Sequence, residues 1–106
     1  MRILTGMIML AAIAGASAAS AQPKVSDSQF LQASRCAGLA SSANLGGAAA
    51  GIDGWLKANS DGRPEFVTER AAQMRRTALS QGNRAKGLEK QQLSSELESA
   101  CATFKG

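Results

Sequence analysis

The two cysteines are the side chains of this sequence with the clearest chemistry. Cys36 and Cys101 are the complete set of cysteines in the 106-residue chain, so only one intramolecular pairing exists. An oxidising compartment would favour that bond, and the alternatives are an intermolecular disulfide or two free thiols. Neither cysteine belongs to a Cys-x-x-Cys motif, which disfavours a redox-active role. We therefore predict that a Cys36–Cys101 disulfide closes the fold.

Basic residues are concentrated between positions 70 and 90, where Glu89 is the only acidic residue. Such a segment favours contact with an anionic surface, for example lipopolysaccharide, anionic lipid or an acidic protein. The competing interpretation is a solvated helix face, because runs of charge are common on exposed helices. Nucleic acid is an unlikely ligand, since no aromatic residues alternate with the cations to stack on bases. The candidate contact residues, of which we expect Arg75 in particular to be exposed, are Arg70, Arg75, Arg76, Arg84 and Lys86.

The sequence argues against catalysis and metal binding. It contains no histidine and no tyrosine, which excludes Ser-His and Cys-His nucleophiles and imidazole metal sites. Glu65 and Glu69 would share a helix face, but acidic residues near a helix N-terminus are usually solvated. Residues 59–62 have the composition of a calcium loop, but Lys57 and Thr68 occupy the positions where such a loop needs carboxylates. We expect no enzymatic activity and no cofactor.

The first 21 residues have the three parts of a secretory signal peptide. Arg2 gives a positive start, residues 3–14 form an uncharged apolar run, and Ala19-Ser20-Ala21 supplies a cleavage site before Gln22. A second Ala-x-Ala site lies at residues 16–18. The apolar run is shorter than the ~20 residues that span a bilayer, which favours a cleaved signal over a membrane anchor. We predict a signal peptide at 1–21 and a mature domain at 22–106, which has no transmembrane span and is periplasmic or secreted.

The strongest helix signal lies at the start of the mature chain. Ser26 and Gln29 have the spacing of a capping box, and small and apolar residues then recur at three- and four-residue spacing as far as position 43. Residues 44–47 should end this first helix, because glycine is common just past a helix end. Residues 46–54 are either helix or linker, since glycines interrupt a helical stripe that includes Trp55, which we expect in the core.

Two further helices are predicted in the second half of the chain. The third should have Pro64 in its first position and end at residues 80–82, with Gly82 last. Asn83 should cap the fourth helix, whose apolar stripe brings Cys101 to its edge one turn after Leu97. The members of that stripe are Leu93, Leu97, Ala100 and Phe104.

These patterns predict an all-α fold. Sustained β alternation is missing, and the faces that would meet are rich in alanine, which favours close helix packing. Large apolar residues are few for a mature domain of roughly 85 residues, so burial alone gives marginal stability and a disulfide is expected to supplement it. We predict a small three- or four-helix bundle in up-and-down order, closed by the Cys36–Cys101 bond.

The general plan resembles that of periplasmic acid-stress chaperones and of immunity proteins against secreted toxins, although no motif carries the likeness. From export, small size and the residue types, we expect a non-enzymatic module that binds another periplasmic or secreted protein, as a chaperone, inhibitor or immunity protein. The alternative is a binder of the anionic cell-envelope surface, lipopolysaccharide or anionic lipid, that uses residues 70–90. Binding of that kind should weaken as salt is added.

Overall fold

A computed structural model describes residues 25–105, and the predicted signal peptide lies outside this range. Within it the regular secondary structure consists of helices without strands, which confirms the predicted all-α class, and the number of α-helices is four, where three or four were predicted. The α-helices and the two short 3₁₀ helices are α1 (Asp27–Ser41), η1 (Ala43–Leu45), α2 (Ala50–Ala58), α3 (Glu65–Arg84), α4 (Gly87–Glu98) and η2 (Ala102–Phe104).

The start of α1 is the predicted capping box. The backbone N–H of Gln29 donates to Ser26 Oγ over 3.1 Å, and the backbone N–H of Ser26 donates to Gln29 Oε1 over 3.0 Å. Two N–H groups at the helix start thus find acceptors within the local sequence. Asp27 follows in the first turn, where a negative charge interacts favourably with the helix dipole.

Helix α1 lies at the centre of the fold. Residues 33–40 are buried except for Arg35, so the helix is covered on most of its circumference. This is more extensive than the single face that the spacing predicted. It is possible because most of these residues are small, and neighbouring helices can approach a helix of alanine, serine and glycine from several sides.

The closest approach is between α1 and α3, and it depends on two glycines. A Cβ atom added to Gly38 would overlap the backbone oxygen of Arg75 and lie 2.8 Å from Ala78 Cβ. A Cβ added to Gly82 would lie 2.8 Å from Ser42 Cβ. Neither position has room for a side chain, so the two helices pack nearly backbone to backbone.

Contacts along their length show that α1 and α3 run in the same direction. Arg63, just before α3, pairs with Asp27 at the start of α1, and Asn83 near the end of α3 accepts a hydrogen bond from Ser42 just past the end of α1. The chain must therefore return between them, and α2 makes that return. This order agrees with the predicted up-and-down path for the first three helices.

Cys36 and Cys101 form the predicted disulfide, with their Cα atoms 5.6 Å apart. Both residues are fully buried. The chain-entropy argument gives roughly 4 kcal/mol for closing a 65-residue separation. The bond attaches the C-terminal end of the chain to the middle of the central helix.

Helix α4 ends earlier than the stripe predicted. It stops at Glu98, so Cys101 lies in the turn that follows, and Ala100 is exposed instead of buried. Phe104 is buried as expected, but η2 brings it inward. From this turn, Cys101 reaches Cys36 on α1 and forms the disulfide.

The boundary between α3 and α4 also differs from the prediction. Helix α3 continues through Gly82 to Arg84, and Pro64 is its N-cap residue, one position before the helix. Asn83 therefore belongs to α3, and the prediction that it caps the fourth helix was wrong. Instead, Asn44 Nδ2 donates to the backbone oxygens of Gly82 and Ala85, over 2.9 and 2.8 Å. These bonds give a side-chain donor to two carbonyl groups at the end of α3, where the regular hydrogen-bond pattern of the helix stops.

The open question of residues 46–54 is answered by a turn followed by a helix. Gly46 and Gly47 have positive φ angles of 125° and 66°, and α2 begins at Ala50. Gly51 faces the C-terminal segment, since a Cβ built on it would lie 2.5 Å from the backbone oxygen of Lys105. This glycine lets the chain end approach α2.

Trp55 packs inward, as predicted. Its ring lies 4.8 Å from that of Phe104, at an interplanar angle of 68°. Trp55 and Leu56 also contact both buried clusters of the fold, the larger one around the disulfide and a smaller one of Phe30, Val67 and Ala71. Edge-to-face contacts of this kind contribute about 1 kcal/mol beyond burial of area.

Replacing Gly38 by alanine should destabilise the protein by about 2 kcal/mol, because the added Cβ overlaps a backbone atom that a rotamer change cannot move away. Gly54→Ala is the matched control, since Gly54 also lies in a helix but has open space around its Cβ position. It should stabilise the protein by up to about 1 kcal/mol through helix propensity. Urea denaturation of both variants gives their free energies of unfolding. If Gly38→Ala and Gly54→Ala changed this free energy equally, the close packing of α1 against α3 would be contradicted.

Candidate interaction surface

Arg75 does not belong to an exposed basic surface. Its Nη1 atom lies 2.7 Å from Asp53 Oδ1, and its Nη2 donates to Ser41 Oγ over 3.4 Å. The side chain is only partly exposed and connects α3 to α2 and α1. The prediction that Arg75 is exposed holds only in part, because 39% of its side chain is exposed but its guanidinium group contacts Asp53 and Ser41.

The other arginines of α3 point in different directions. At 3.6 residues per turn, Arg76 is turned about 120° from Arg70 around the helix axis. Arg84 lies within about 40° of Arg70 but roughly 21 Å further along. All three are exposed. The predicted contact residues on α3 are therefore spread around and along the helix and do not form one cluster.

Lys86, the last of the predicted contact residues, lies between the two helices. It is the N-cap residue of α4 and is exposed, as is Lys90 one turn later. Leu88 between them is 69% exposed. Residues two apart on a helix point to nearly opposite sides, so Leu88 and Lys90 do not form a joint surface.

A different set of residues on α3 does share one side of the helix. Two overlapping rows of four- and three-residue steps, one through Gln73 and one through Met74, lead from Phe66 to Thr77, and we call the set of Phe66, Arg70, Gln73, Met74 and Thr77 the α3 ridge. Phe66 is 70% exposed, the highest value for a large apolar residue in residues 25–105. Met74 is half-buried and the other three are exposed. The residues predicted from sequence to contact a partner include Arg70 but not Phe66, because spacing alone does not show that Phe66 is exposed.

A surface depression of about 350 Å³ lies along the α3 ridge. Four ridge residues line it, from Arg70 to Thr77, and Arg35 of α1 closes the other side. Two guanidinium groups therefore border one depression. Sequence spacing could not reveal this, because Arg35 and Arg70 come from different helices.

Arg35 is held rigidly at the edge of that depression. Its Nε and Nη2 donate to the two carboxylate oxygens of Glu96, over 2.8 and 3.0 Å, and its Nη1 donates to Gln81 Oε1 over 3.1 Å. These bonds join α1 to α4 and α3. The hydrogen bond to Glu96 raises the pKa of Arg35 above its ordinary value, against the opposing effect of burial.

A second arginine, Arg63, fixes the other end of the molecule. It pairs with Asp27 Oδ1 over 2.8 Å, donates from Nε to the backbone oxygen of Asn59, and lies 4.9 Å from the centre of the Phe30 ring. The side chain is only 12% exposed. Arg63 thus has a packing role, in which the cation lies over an aromatic face.

The remaining candidate residues lie on the exposed surface of α3 and in the turn before it. Glu65 and Glu69 are both exposed on α3. Residues 59–62 form a turn in which Gly62 has a positive φ of 80°. Among the described residues, no group of three or more histidine, cysteine or acidic side chains could hold a metal ion. In the same range, no helix combines the length and hydropathy needed to cross a membrane.

Comparison with known proteins identifies no protein that is similar to this chain. No protein family, no curated protein and no solved structure matches this chain. The functional argument therefore depends on the residues themselves.

Replacing Arg35 by lysine should destabilise the fold by about 1–2 kcal/mol, because lysine cannot form the bidentate contact with Glu96. Arg76→Lys, on the exposed side of α3, should change the free energy of unfolding by less than about 0.5 kcal/mol. Chemical denaturation of both variants measures the difference. If Arg35→Lys were as stable as Arg76→Lys, the bridge would not contribute to stability.

Proposed function

We propose that this protein is an exported, non-enzymatic module that acts by binding another protein in the periplasm or outside the cell. The proposed mode of action is that of a chaperone, inhibitor or immunity protein, in which the fold presents a surface and performs no chemistry. The observation that carries the proposal is Phe66, a large aromatic side chain that is 70% exposed on the longest helix.

The disulfide supports the extracytoplasmic location. Bonds such as Cys36–Cys101 form and persist in oxidising compartments and are rare in the cytosol. The composition of residues 1–21, with an apolar run and two Ala-x-Ala sites, supports the same location. A small domain that leaves the cytoplasm benefits from such a bond, since its apolar core is thin.

The composition of the α3 ridge supports protein binding. Aromatic residues, methionine and arginine are enriched at protein interfaces, whereas lysine and glutamate are depleted. Phe66, Arg70 and Met74 are one residue of each enriched type, at successive four-residue steps. Glu65 points about 100° away from Phe66, whereas Glu69 borders the ridge, three residues after Phe66 and four before Gln73.

A photoreactive phenylalanine analogue at position 66 tests the proposal in the exporting cell. Irradiation should attach one defined protein at this position, which mass spectrometry then identifies. The same analogue at position 88 is the matched control, because Leu88 is 69% exposed but lies on α4 and away from the ridge. Position 88 should give no such product.

The purified pair then gives the energetic test. Phe66→Ala should raise the dissociation constant by about thirtyfold, the effect of losing a typical interface anchor. Leu88→Ala should leave the constant unchanged. Identical crosslinking at both positions, or no product at either, would argue against a protein-binding module.

A further inference from the structure

Building on the proposed function, we infer that the α3 ridge recognises an acidic, amphipathic segment of the partner protein. A carboxylate of that segment would occupy the depression between Arg35 and Arg70. An apolar side chain beside it would pack against Met74 and Phe66. The inference thus names the chemical class of the partner and the residues that select it.

Arg70 is the charge that this inference uses first. It is exposed, and within residues 25–105 it forms no ion pair. The acidic residue beside it in sequence, Glu69, is turned about 100° away. A cation on a rigid helix, next to apolar surface and without its own counter-charge, is complementary to a carboxylate of a partner.

Arg35 contributes hydrogen-bond donors more than net charge. Its charge is largely balanced by Glu96, but a guanidinium has five N–H groups, and the contacts to Glu96 and Gln81 use three of them. The two that remain belong to a side chain already fixed at the edge of the depression. A bound carboxylate would therefore gain donors with little loss of side-chain freedom.

The same charges argue against a second copy of this chain as the occupant. In a two-fold symmetric pair the ridge would face itself, because such interfaces use the same surface of both subunits. Each Arg70 would then meet another Arg70, and neither has an acidic residue three or four positions away on its own helix. A partner that carries glutamate or aspartate beside leucine-like side chains suits the surface better.

A synthetic helical peptide provides the probe. It has about 18 residues, enough to follow the roughly 27 Å from Phe66 to Arg84, with leucine at three- and four-residue spacing and glutamate elsewhere. Backbone amide shifts of the ¹⁵N-labelled protein, containing the disulfide, should change at the ridge on titration. Adding salt should weaken the binding. A peptide with glutamine in place of glutamate should bind at least about tenfold more weakly.

Two arginine variants separate recognition from general charge attraction. Arg70→Glu should raise the dissociation constant of the acidic peptide by about tenfold or more. Arg76→Glu makes the same change in net charge on the same helix, but about 120° away, and should have less than about a threefold effect. Circular dichroism checks that both variants remain folded.

Several results would overturn the inference. One is that Arg70→Glu and Arg76→Glu weaken binding of the acidic peptide equally, and another is that the amide shifts change at residues away from the ridge. The inference also fails if the acidic peptide does not bind, or if the glutamine peptide binds as tightly as the glutamate peptide. Phosphatidylglycerol vesicles are tested in parallel. If they bind in an Arg70-dependent manner and the acidic peptide does not, the surface recognises lipid. A protein crosslinked through position 66, combined with failure of the peptide, would retain the proposed function and refute only the acidic class.

Discussion

The close approach of α1 and α3 is the constraint on which the rest of this structure depends. Gly38 and Gly82 leave no room for a side chain at two points of that contact, and both helices also bury alanines, among them Ala37 and Ala78. Such packing gives many van der Waals contacts but little large apolar surface. The fold must therefore be secured at its edges. The disulfide does this for the C-terminal end, and Arg63, with Asp27 and Phe30, does it for the start of both helices.

Because the central helix α1 is rich in small residues, α3 packs against it along one side only, and the outer side of α3 remains uncovered. Helix α3 buries Val67, Ala71 and Ala78 against the centre, and nothing in the described residues covers Phe66 on its outer side. The bridge from Arg35 to Glu96 stabilises the bundle and also fixes one border of the depression beside that side. One set of interactions thus supports the fold and shapes the surface that we assign to a partner.

Sequence patterns within one helical turn predicted local structure correctly, whereas contacts between segments distant in sequence explain where the structure differs from the prediction. The capping box at Ser26 was readable because both partners lie within one helical turn. The disulfide pairing could be predicted because two cysteines permit only one intramolecular bond. Gly82 was predicted to end the helix, but its neighbour Ser42 lies 40 residues away in sequence, and Asn44, which donates to the Gly82 carbonyl, lies 38 residues away. The depression along the α3 ridge could not be predicted for the same reason, since Arg35, which borders it, comes from another helix.

Hydrogen exchange of the backbone amides, followed by NMR in the protein with its disulfide intact, tests the central role of α1 most directly. Amides that open only with global unfolding lie in the most densely packed elements. The slowest exchange should be found in residues 33–40 of α1 and in the facing residues 71–78 of α3, with α2 and α4 faster. If α1 exchanged as fast as α2, or if α4 contained the slowest amides, the fold would not be organised around this helix pair.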